Sequence, residues 1–238
     1  MTKNETVLFK DLGKQDYKKV WAYQQELFKE IVDLKLSNRK MPEMHRKITP
    51  NYLFFVEHSH VYTMGKSGKY EHFLLSDNFL ESIDAVFYRV DRGGDITYHG
   101  PGQVVVYPVL DLDNFFTDMH KYLRSLEEVV IRTLSSYGLD STRSTGETGV
   151  WLDVGSPQAR KICAIGVRAS RWVTMHGFAL NVNTDLRYFG HIIPCGIRDK
   201  AVTSLAEELG REILIDQVKN QLKINIQEVF KAILLESS

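Results

Sequence analysis

The chain has 238 residues, 43% hydrophobic and 25% charged, a composition that gives an ordinary globular protein enough apolar material for a real core. Thirty basic side chains balance thirty acidic ones without long blocks of either sign, which argues against a nucleic-acid binder living by phosphate contacts. The longest apolar run, Val104 to Leu110, contains Pro108 and falls far short of the roughly 20 residues that span a bilayer, so no membrane partner is expected.

Asp16 to Leu36 has the apolar spacing of a helix (Val20, Leu27, Phe28, Ile31, Leu34), with Asp16 placed to cap it. Pro42 and Pro50 mark a loop. Short strands are expected at Tyr52 to Val56 and Val61 to Met64, and a further β-rich run at Asp84 to Val90. Gln103 to Leu110 is a strongly apolar strand, and Pro108 within it suggests a sheet edge or a strand end. Asp118 to Tyr137 is the clearest helix, with Gly138 as its stop. Strands follow at Gly149 to Val154, Lys161 to Ser170 and Trp172 to Asn183, the last two as a hairpin, and helices at Ala201 to Leu209 and Asp216 to Leu235. Strands without regular βαβ alternation give an α+β (mixed α/β) class. No linker divides the chain, so residues 1–238 are expected to form one domain.

The N-terminus has no apolar signal core, and Glu5 and Asp11 argue against a transit peptide, so the cytoplasm is the expected location. Two cysteines, Cys163 and Cys195, make neither a disulfide framework nor a metal knuckle. Each is then a buried small hydrophobe or a reactive thiol. The scattered histidines show no metal-ligand spacing, so no metal and no cofactor is expected.

Three segments carry chemistry. In Arg92 to Gln103, glycines and a proline between two strands build a constrained loop whose amides can approach a ligand, with Tyr98 and His99 available as walls or donors. Two tight turns with a surface histidine would look the same in isolation. In Arg160 to Arg168, period-two alternation puts Lys161, Cys163 and Ile165 on one face and Ile162, Ala164 and Gly166 on the other. In Ile192 to Ile197, Cys195 sits between Pro194 and Gly196, a rigid turn suited to presenting a nucleophile. A lysine near that thiol would favour the reactive thiolate and move the proton. A solvated lysine and a plain buried cysteine are the bland alternatives. Gly177 and Ala179 would leave room for an acyl chain, or pack two strands closely.

Glu57-His58, Val61 to Lys66, Arg92 to Gln103, Gly149 to Trp151, Lys161 to Val167, Ser170 to Trp172, His176 to Asn183, Pro194 to Ile197 and Val202 to Leu205 together resemble the lipoyl/octanoyl transferase family over about residues 50 to 210. The resemblance implies the fold of biotin and lipoate protein ligases, a central mixed sheet flanked by helices. It implies transfer of octanoyl from octanoyl-acyl carrier protein to a lysine of lipoyl domains, as found in 2-oxoacid dehydrogenase E2 subunits and the glycine cleavage H protein. It puts the acyl thioester on Cys195 with Lys161 as its activator. It assigns substrate binding to Arg92, Gly93, Gly94, Asp95, Ile96, Thr97, Tyr98, His99, Ala164, Ile165, Gly166, Gly177, Phe178 and Ala179. Cys163 stands where the family usually has alanine, and Ile96 and Gly190 are less typical. An ATP-dependent lipoate or biotin-type ligase and a non-catalytic acyl-carrier-binding module are the competing readings.

Overall fold

The computed structural model describes residues 3–193 and 201–236. The chain enters through strand β1 (Thr6–Gln15) and helix α1 (Tyr17–Arg39), then β2 (Tyr52–His58), β3 (Val61–Met64), α2 (Asp77–Ser82), β4 (Val86–Arg89) and β5 (Ile96–His99). The middle holds β6 (Gln103–Val109), α3 (Met119–Ser135), β7 (Thr142–Ser144), β8 (Glu147–Leu152), β9 (Arg160–Ser170) and β10 (Val173–Asn181). Strand β11 (Ala201–Val202), α4 (Leu205–Leu209), α5 (Ile215–Phe230) and β12 (Ile233–Glu236) complete it.

The main sheet is mixed, in the order β12-β1-β2-β6-β10-β9-β8-β7, with β11 added to β9. Both expected helix starts are built as capping chemistry dictates. The Asp16 carboxylate accepts from Lys19 N at 2.9 Å and Asp118 from Lys121 N at 2.9 Å, each satisfying a free first-turn amide. Helix α1 lays Val20, Leu27, Phe28 and Ile31 in one cluster with Phe54, Val56, Val105 and Val109 of the sheet. On the other face, Leu126, Val130 and Leu134 of α3 and Leu222 and Ile226 of α5 cluster with Leu53, Val106, Phe178 and Leu180. A small sheet, β4-β3-β5, with its own core of Tyr62, Met64, Ile96 and Tyr98, stands beside the main one. The β9–β10 hairpin turns through Arg171 and Trp172, both at positive φ (51° and 66°), the backbone that suits the twist of two paired strands. Among the described residues no helix is long and apolar enough to cross a membrane.

Several elements differ from the expectations. Residues 6–15 form a strand where none is expected. The C-terminal helix stops at Phe230, because Lys231 adopts a left-handed φ of 54° and Ile233 N then donates to Glu5 O at 2.9 Å, starting a strand parallel to β1. The helix expected from Ala201 begins only at Leu205, where Ser204 caps it; the two residues before Thr203 pair with β9 instead.

Pro108 lies in a central strand, not at a sheet edge, and it does sit near a strand end, one residue before Val109 closes β6. Leu110 O accepts from Thr174 N at 2.9 Å, so the same side of β6, two residues earlier, faces β10. There His176 turns to a φ of 59° and gives its N–H to Gln24 Oε1 of α1 at 2.9 Å. The missing proline donor therefore falls where the ladder is already interrupted.

Candidate functional site

Strands β9 and β10 pair Ala164 with Ala179 and Gly166 with Gly177, so four small residues meet across two neighbouring strands. Their small side chains leave the sheet uncovered there, and a cavity of about 530 Å³ opens above it. Gly177 has to be glycine, since a Cβ would stand 2.1 Å from Val106 O.

The glycine loop crosses this floor as a strap. Gly93 N donates to Val167 O at 2.9 Å, while Arg92 O and Gly94 O accept from Lys66 N and Ser67 N. The Arg92 guanidinium, 8% exposed, anchors the strap by donating to Thr63 O at 2.6 Å and Thr63 Oγ1 at 3.1 Å. Asp95 accepts from Ile96 N and from His72 Nδ1, 2.5 Å away. The predicted residues 92–97 and His99, 164–166 and 177–179 all border the cavity. Tyr98 does not border it. Alternation along β5 turns its ring away, where its hydroxyl meets His60 Nδ1 at 2.6 Å and the ring stacks on Tyr188.

A polar chain runs along one wall. His99 Nδ1 lies 2.8 Å from Gln103 Oε1, Gln103 Nε2 donates to Asn181 Oδ1 at 2.8 Å, and Asn181 Nδ2 donates to Thr203 O at 3.0 Å. Burial, with His58 next in weight, lowers the His99 pKa to about 3, so its ring is neutral. Burial likewise takes His58 down to about 4. Tyr17 stacks on the His99 ring and meets His58 edge-on. Behind it, His176 Nε2 lies 2.8 Å from Asp91 Oδ1.

Lys161 borders the same cavity, its Nζ 4.5 Å above the centre of the Trp151 ring. Strict alternation fails here. Val150 pairs with Cys163 but Trp151 with Lys161, a one-residue bulge in β9. The bulge lets Lys161 share the cavity with Ala164 and Gly166, while Ile162 and Cys163 both enter the core, each fully buried. Gly149, at a φ of 127°, permits this fit; a Cβ there would stand 2.6 Å from Cys163 O. Burial pushes the Cys163 thiol well up, leaving it un-ionised and inert. Cys195 lies outside the described residues. The chain on one side of that segment is held by Ile193 N donating to His72 O, and on the other by Val202 pairing with Lys161 and Thr203 N donating to Lys161 O.

Tyr17, Gln103, Val105, Tyr107, His176 and Asn181 also border the cavity and were not singled out as site residues. Alternation from Gln103 through Val105 to Tyr107 would have put those three on one face. Tyr17 comes from the start of α1, far off in sequence, and offered no local signal. Among the described residues no three His, Cys, Asp or Glu side chains are grouped to hold a metal ion.

The lipoyl protein ligase A/B catalytic domain matches residues 16–227. An octanoyltransferase of Christiangramia forsetii is 64% identical over 230 residues, covering 96% of this chain and 97% of that protein. An octanoyltransferase of Flavobacterium johnsoniae is 63% identical, covering 96% and 98%. A bipartite lipoate protein ligase of Thermoplasma acidophilum shares the fold, with a TM-score of 0.68 at 19% identity over 100% of this chain and 87% of that one. With its cavity, strap and Lys161 set on that shared fold, the chain belongs to the lipoyl protein ligase A/B catalytic domain family.

Proposed function

We propose that this chain is an octanoyltransferase that moves an octanoyl group from octanoyl-acyl carrier protein to a lysine of lipoyl domains through a thioester on Cys195. The observation that carries this reading is Lys161 on the rim of a cavity floored by Ala164, Gly166, Gly177 and Ala179. Kinship with octanoyltransferases over nearly the whole chain supports the acyl group.

In the first half-reaction the Cys195 thiolate attacks the donor carbonyl, a new C–S bond forms, and the bond to the carrier's sulfur breaks. Lys161 hands its proton to that departing thiolate. In the second, a lipoyl-domain amine attacks the Cys195 thioester, the C–N bond forms, and Cys195 leaves as thiolate while Lys161 takes the amine proton. Thioester to amide is downhill, so neither ATP nor a metal is needed. The strap amides and Arg92 shape the binding end, and the neutral His99–Gln103–Asn181 chain keeps the wall uncharged beside an apolar acyl group. In this reading the chain acts as one catalytic domain in the cytoplasm, serving E2 subunits and the H protein.

Intact-protein mass spectrometry after mixing with octanoyl-acyl carrier protein tests it. One octanoyl group on Cys195, discharged by a lipoyl domain without ATP and absent from Cys195→Ala, is the expected result. Acylation that demands ATP and free octanoate would move the chain to the ligases.

A further inference from the structure

Resting on that reading, we propose that Tyr107, latched from behind by His58, is the gauge that sets how long an acyl chain the cavity accepts.

The sheet itself supplies the ruler. One row runs across four strands, Ala164 of β9 beside Ala179 of β10, Ala179 beside Val105 of β6, and Val105 beside Val56 of β2. Ala164, Ala179 and Val105 border the cavity, but Val56 does not, nor does any other described residue of β2. The open space over this row therefore ends at β6. From β9, where Lys161 sits, to β6 is two strand spacings, about 9.5 Å. That span is of the order of an extended eight-carbon chain.

Tyr107 follows Val105 on the same face of β6 and is the large side chain at this boundary, only 3% exposed. Its height is fixed from β2. His58 Nδ1 lies 2.8 Å from Gln15 O, a pure acceptor, so Nδ1 carries the ring proton and Nε2 accepts. The Tyr107 hydroxyl donates to that Nε2 at 2.9 Å. Both partners are buried, at 1% and 3% exposure, so the phenol has no solvent-facing alternative. Tyr17 closes the space from the α1 side, packed edge-on against His58 and stacked on His99. A chain longer than the floor would have to displace a buried, hydrogen-bonded ring.

The test uses the full-length protein with acyl carrier protein loaded with hexanoyl, octanoyl, decanoyl or dodecanoyl groups, and compares kcat/KM for each. Tyr107→Leu lowers the wall, and the ratio of dodecanoyl to octanoyl transfer is expected to rise at least about tenfold, the low end of what methylene-scale fit is worth. Tyr107→Phe keeps the ring and loses only the latch, so its ratio moves in the same direction by a smaller factor. Should Tyr107→Leu fail to fold, Val105→Leu extends into the cavity from one row nearer Lys161 and is expected to raise the ratio of hexanoyl to octanoyl transfer by a similar factor. Folded variants with an unchanged chain-length profile would overturn the gauge. A wild-type protein that transfers none of the four groups would instead overturn the octanoyltransferase reading.

Discussion

Strands β9 and β10 present two faces built from alternate residues of the same short stretch, and the two could hardly differ more. Cys163 and Leu180 are buried in the cluster that includes Leu126 and Val130, and Phe178 and Ile165 pack with it while also reaching the cavity's border. One step along each strand, Ala164, Gly166, Gly177 and Ala179 lie beneath an open cavity. Propensity and backbone are shared, so only side-chain volume separates the packed face from the one that opens on the cavity. In a close-packed interior, removing volume from one face only is how a sheet makes space without losing its frame.

The division can be broken from either side. Leu126→Ala hollows the packed face and should cost about 2–5 kcal/mol in chemical denaturation, with acyl transfer per folded molecule nearly unchanged below the melting transition. Lost transfer at full stability would contradict the division. Acid should strike the open face. His58 and His99 are held neutral with pKa values near 4 and 3, below the unfolded value near 6.5, so the unfolded chain takes up protons first as pH falls. Their contribution is complete above about pH 6.5 and is lost towards pH 4, on the order of 2 kcal/mol for one histidine by pH 5. Melting curves from pH 7 to 5 should show this loss, and His58→Gln should flatten it.

Ala179→Leu fills the floor. Its added carbons are directed at the cavity, so stability should fall by no more than about 1–3 kcal/mol, while octanoyl transfer falls by about tenfold or more. A variant that unfolds would show the cavity to be packed space. The smallest effect belongs to Cys163→Ala, which should cost about 1 kcal/mol or less and leave transfer intact. Thiol labelling of the folded wild type should find Cys195 and spare Cys163.

The long helices were readable because their signals are local: Asp16 and Asp118 cap them, and apolar residues recur at helical spacing. The strap and the small-residue floor were readable as strings of glycine and alanine. Strand β12 was not, since Ile233 to Glu236 is largely exposed and its strand state depends on backbone bonds to β1, distant in sequence. The face of Lys161 was not readable either. The bulge that sets it is negotiated with the neighbouring strand, where Gly149 has no Cβ to block it. Tyr98 was assigned by its place in a motif, and the alternation of its own strand sends it elsewhere.

The positive-φ turn at Arg171 and Trp172 bears on the order of assembly. It joins β9 to β10 with almost no chain between, so this pairing closes a small loop at low entropic cost. The pairing of β1 with β12 must instead bring together residues from opposite ends of the sequence. The cavity floor is thus expected among the earliest long-lived structure and the β1–β12 edge among the last. Fraying at that edge, whether thermal or by substitution, would leave the floor's amides protected from exchange and the cavity already shaped.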